Sequence, residues 1–132
     1  MGDLFHEDVP FDYIDQIFAI MALTPQHTYQ VLTKRPERMN QYMMWIKDFW
    51  YREEKREDEI LFASMEVAEK YKYMENPPAL WPLPNVWLGA TAENQEQADK
   101  RIPILLDTPA ALRFVSIEPM LSHIDLTKYL VR

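Results

Sequence analysis

At 132 residues the chain suits one ordinary domain and is too short for two, and its 48% hydrophobic and 13% aromatic content excludes a disordered or low-complexity polymer. Two glycines cannot furnish a Gly-rich phosphate loop, and the lack of cysteine excludes disulfides, zinc ribbons, a Cys-ligated iron–sulfur cluster and a thiol nucleophile. A formal charge of −7 repels phosphate backbones, so direct nucleic-acid binding is not expected, whereas docking on a basic protein surface is compatible with it.

The first helix is expected to open with Asp8 as its cap and Pro10 in its first turn. Phe11, Ile14, Ile17, Phe18, Met21 and Ala22 follow at helical spacing until Thr24-Pro25. Residues 28–33, rich in β-branched and aromatic types, read as a strand. Pro36 then opens a second helix, with Met39, Tyr42, Met43, Ile46, Phe49 and Trp50 along one side.

From Tyr51 to Glu59 the chain reads YREEKREDE, a charge run that cannot be core. Helical periodicity resumes at Ile60 and ends before Asn76-Pro77-Pro78, so residues 51–84 read as a helical, Pro-rich insertion within a single α/β domain spanning 1–132. The nearly continuous apolar run of residues 85–91 predicts a strand buried on both faces. Asn94 and Gln97 suggest a capping box for a helix that Pro103 kinks or restarts. Residues 112–117 make a third strand, and a short helix near Leu126–Leu130 closes the chain.

Strands alternating with helices imply parallel pairing and right-handed crossovers. The expected fold is therefore α/β: an open parallel sheet of about three strands, or part of a (β/α) barrel, which needs about eight. Sheet edges and an uncovered face favour a partner or self-association.

Functional groups in such sheets gather beyond the carboxyl ends of the strands. Thr33, Lys34, Arg35, Glu93, Asn94 and Glu118 stand at those ends and form the candidate ligand-binding set. Lys34 and Arg35, just before a helix, suit an anionic ligand, while Glu93 and Glu118 suit a carboxylate pair or a cationic ligand. No histidine spacing points to a metal, no nucleophile elbow surrounds Ser116, and no catalytic residue or cofactor is expected of the chain by itself. Trp45, Phe49, Trp50 and Tyr51 cover more than one helical face and are the candidate partner-binding surface. No apolar run approaches the ~20 residues of a membrane span and no signal peptide is visible, so the expected location is the cytoplasm.

Four segments also carry a family resemblance: DLFHEDVP (3–10), QVLTKRPERM (30–39), WPLPNVWLGATAENQEQADKRIPILLDTPA (81–110) and RFVSIEPML (113–121). They resemble an uncharacterised phage-protein family whose longer members look like radical-SAM-type barrels with an N-terminal three-cysteine motif. The resemblance implies a truncated middle portion of such a barrel, with Thr33, Lys34, Glu93, Asn94 and Glu118 facing its mouth. Without the cysteine ligands, reductive cleavage of S-adenosylmethionine is not expected of this chain alone. The leading expectation is a non-catalytic protein that binds a macromolecular partner, in its narrowest form an inhibitor of a host-defence complex. The alternatives are a binder of S-adenosylmethionine or nucleotide-type molecules, and an enzyme fragment active only with a complementary cysteine-bearing partner.

Overall fold

The computed structural model describes residues 2–50 and 82–130, with backbone alone for 47–50. The insertion expected over 51–84 thus lies outside the described residues except for its last three. Helix α1 (Phe11–Leu23) leads to strand β1 (Tyr29–Thr33) and helix α2 (Pro36–Trp50). Strand β2 (Val86–Thr91), helix α3 (Gln95–Leu106), strand β3 (Leu112–Ser116) and a last short turn of helix, α4 (Thr127–Leu130), complete the order.

The three strands form one parallel sheet in the order β1-β2-β3, with Tyr29 opposite Val86 and Trp87 opposite Leu112. Strand β2 is central because it is the most apolar. Its Val86, Leu88 and Ala90 are buried and point with Tyr29, Val31 and Val115 into the main core. Ile14, Phe18, Met21 and Ala22 of α1 and Met39, Tyr42, Met43 and Ile46 of α2 close that core from one side. Helix α3 packs against α2, β2 and β3, bringing Leu105 into it.

The opposite sheet face carries Gln30, Leu32, Trp87, Gly89, Leu112 and Phe114 by strand alternation. Phe114 lies across Gly89, its cross-strand neighbour: a Cβ built on Gly89 would come within 2.5 Å of the Phe114 ring. The glycine is there for close approach, and the ring covers the backbone that it leaves bare.

Two local expectations are corrected. Asp8 does not cap α1; Pro10 occupies the cap position with no side-chain hydrogen bond, and its carbonyl accepts from Tyr13 and Ile14 N–H. Asp8 instead has its N–H on His6 Nδ1 at 3.1 Å. Pro103 does not restart α3, which runs unbroken through it. The ring removes one donor near the helix end, and burial of Ile102 and Leu105 on either side of it keeps the turn helical. The Asn94 cap forms as expected, with its Oδ1 accepting from Gln97 N–H at 2.9 Å.

The C-terminal turn is tied to α3 by a polar knot. Asp99 accepts from Lys128 at 2.8 Å, Tyr129 at 2.6 Å and Gln95 at 3.0 Å, and these donors, Lys128 foremost, pull its carboxyl down to about 2. A depressed carboxyl pKa stabilises the fold above the ordinary value of 3.8, and that contribution fades as pH falls toward about 2. The protection of the amides in residues 125–130, taken relative to their intrinsic exchange rates, is therefore expected to hold at pH 5 and to fall as the carboxyl protonates. In Asp99→Asn the acid-dependent part should shrink to the share of Asp125, whose carboxyl the Thr127 hydroxyl and N–H also hold low; an unchanged profile in that variant would place the acid sensitivity elsewhere.

Candidate functional site

Because the strands are parallel and in order, their carboxyl ends open onto one rim, where the polar residues that follow β1 and β2 meet. After β1, Thr33 is 2% exposed and donates its hydroxyl to the Asp3 carboxylate at 2.7 Å and 2.9 Å. The same carboxylate accepts from Lys34 N–H at 3.0 Å and from Arg35 Nη1 at 3.1 Å. Phe5 N–H adds a fourth donor at 3.0 Å. Burial pushes the Asp3 carboxyl up, but the donors from Thr33, Lys34, Phe5 and Arg35 outweigh it and hold it below the usual range.

After β2, Glu93 lies between two cations. Lys34 Nζ is 3.5 Å from its Oε1, and Arg101 Nη1 of α3 is 3.2 Å from its Oε2. Arg101 also donates to the Thr91 carbonyl at 2.7 Å, which locks the end of β2 to α3. Burial raises the Glu93 carboxyl, but its own backbone N–H, the Arg101 charge and Lys34 outweigh that and hold it below its ordinary value. After β3 the chain returns across the rim, and Leu121 N–H donates to the Glu93 carbonyl at 2.9 Å.

The structure thus joins Thr33, Lys34 and Arg35 through Asp3, and links Lys34 to Glu93. Asn94 is engaged as the α3 cap, and Glu118 is exposed. Sequence reasoning missed Asp3 and Arg101. No spacing rule connects Asp3 to a strand end thirty residues away. Arg101 is one of two adjacent basic residues, with Lys100, on the helix following Glu93, and that was the signal that could have found it.

The candidate partner surface divides. Trp45 is half-buried, with its ring 5.7 Å from Phe11 and 6.2 Å from Tyr42, so it packs on the core. The side chains of Phe49 and Trp50, and all of Tyr51, lie outside the described residues. Large exposed apolar side chains stand at the rim instead: Met120 is 58% and Leu121 69% exposed.

Among the described residues no group of three or more His, Cys, Asp and Glu is arranged to hold a metal ion. No described helix is long and apolar enough to cross a membrane. Chemically, the rim offers a fixed carboxylate flanked by a lysine and an arginine, beside an apolar projection. No curated protein and no solved structure matches the chain. A family model does match, over residues 1–131, and on that match the chain belongs to the family described as "Protein of unknown function (DUF5131)".

Proposed function

We propose that the protein works by binding a macromolecular partner, with no chemistry of its own, through the rim at the carboxyl ends of its strands. The observation that carries this reading is the pair Met120 and Leu121: both are more than half exposed, yet the Leu121 backbone is fixed to Glu93. A fixed apolar pair forfeits little entropy on docking, and methionine adapts to a partner's shape. Lys34, 59% exposed in its side chain, and exposed Glu118 supply charges beside the pair. The net charge of −7 favours a partner with a basic face. The resemblance to phage proteins built on radical-SAM-type barrels supports a narrower form, in which the partner is a host-defence complex met in the cytoplasm.

The test is affinity capture from host lysate with the wild-type chain and with a Met120→Ser/Leu121→Ser double variant, both checked for folding. We expect at least tenfold lower recovery of the wild-type partner by the variant. Equal recovery would remove the rim as the docking surface. A second copy of this chain, seen on a sizing column, is the outcome that favours self-association instead.

A second reading has its own support. Glu93, ionised between Lys34 and Arg101, resembles a ready acceptor for the amine or hydroxyl of a nucleotide- or S-adenosylmethionine-type ligand. A thermal shift with such a compound that disappears in Glu93→Gln would favour it. Turnover appearing only on addition of a cysteine-bearing partner would favour the enzyme-fragment form.

A further inference from the structure

We infer that the Thr33–Lys34–Arg35 loop is a binding site for a small oxyanion, and that its resident ligand is the chain's own Asp3 carboxylate. The donors come from three different groups of one loop: a hydroxyl, a backbone N–H and a guanidinium. Asp3 also takes a local bond from Phe5 N–H at 3.0 Å, but these three loop donors reach it from a segment far away in sequence, which turn chemistry within the N-terminal segment does not account for.

The direction of each hydrogen bond is fixed. Arg35 N–H donates to Thr33 Oγ1 at 2.9 Å, which leaves the single hydroxyl proton to point at Asp3. The next residue, Pro36, has no N–H and starts α2, so Lys34 presents its N–H at the positive end of a fifteen-residue helix. Arg35 adds a full charge on the same carboxylate oxygen that the Lys34 N–H meets. A hydroxyl, an amide and a guanidinium aimed at one point make a receptor for a carboxylate group, whatever molecule carries it.

Two features make the site separable from its resident. The Asp3 side chain retains 15% exposure, so its position communicates with solvent. The N-terminal segment also has an anchor of its own: Phe5 is fully buried in the main core, and Arg38 donates to the Val9 carbonyl. Removing the Asp3 side chain should therefore vacate the site while the backbone on either side stays in place. The vacated space suits formate, which has the carboxylate and little else.

The experiment is chemical rescue, measured as the urea midpoint of the wild type, Asp3→Gly and Asp3→Asn in sodium formate against sodium chloride of equal ionic strength. We expect Asp3→Gly to lose stability in chloride and to regain it saturably in formate. At formate ten times its Kd, the folded-to-unfolded ratio rises about elevenfold. The wild type should not respond, because its site is filled. Asp3→Asn should not respond either, because the amide occupies the space. The double variant Asp3→Gly/Thr33→Val should lose the response together with the hydroxyl donor. If Asp3→Gly fails to fold in chloride, formate-dependent recovery of the fold is the same result read more strongly. Equal behaviour in formate and chloride, whether folded or unfolded in both, overturns the inference. Partner binding at Met120 and Leu121 is not read by this experiment, so the two proposals fail separately.

Discussion

Replacing Tyr42 with alanine is expected to destabilise the fold by about 3–5 kcal/mol, the range for deleting a large buried aromatic. Tyr42 is fully buried at the junction of α1, α2 and the N-terminal segment. Its ring lies 5.2 Å from Phe18, 5.3 Å from Phe11, 6.1 Å from Phe5 and 6.2 Å from Trp45, so one deletion leaves four rings facing a cavity. The hydroxyl contributes separately, donating to buried Asp15 at 2.8 Å. Tyr42→Phe keeps the ring and removes that bond, for an expected loss of about 1–3 kcal/mol. Urea denaturation of both variants with unchanged m-value would measure the two parts. A Tyr42→Ala loss below about 1 kcal/mol would show that the ring is not central to the core.

The second large effect is expected at Arg101. Arg101→Met keeps most of the side chain's apolar length but withdraws the donor from the Thr91 carbonyl and from Glu93. The expected loss is about 2 kcal/mol at neutral pH, typical of a hydrogen bond with a charged partner. Glu93 sets the pH dependence. Its carboxyl is held below the ordinary value of 4.5, so its contribution is present above that value and declines as pH falls through the lowered one. The gap between wild type and Arg101→Met should therefore narrow in acid. A double-mutant cycle with Glu93→Gln should show coupling above about 0.5 kcal/mol, and simple additivity would mean that the pair is not energetically joined.

Much of the fold was legible because β2 announces itself. An apolar run bounded by Asn85 and by the polar residues after Thr91 has few alternatives to a central parallel strand, and Pro36 and Asn94 mark helix starts by their chemistry. The mistakes came where two local rules competed. Asp8 had the right chemistry for a cap but the wrong distance, since Phe11 is the first helical residue and Pro10 stands before it. Pro103 had breaking power, but the burial of its neighbours prevailed. At the rim, the strand ends named Thr33, Lys34 and Glu93. What they do with one another depended on Asp3, brought to them by the packing of Phe5 and not by any spacing in the sequence.

The central position of β2 has a consequence for synthesis on the ribosome. Strands β1 and β3 touch only through it, and β1 is paired with residues that begin at Val86. A nascent chain that has emerged only as far as α2 therefore carries Ile14, Phe18, Met39 and Ile46 with no strand for β1 to join and no sheet to complete their core. Translation must therefore deliver Val86–Thr91, more than fifty residues after β1 ends, before the sheet can start to form.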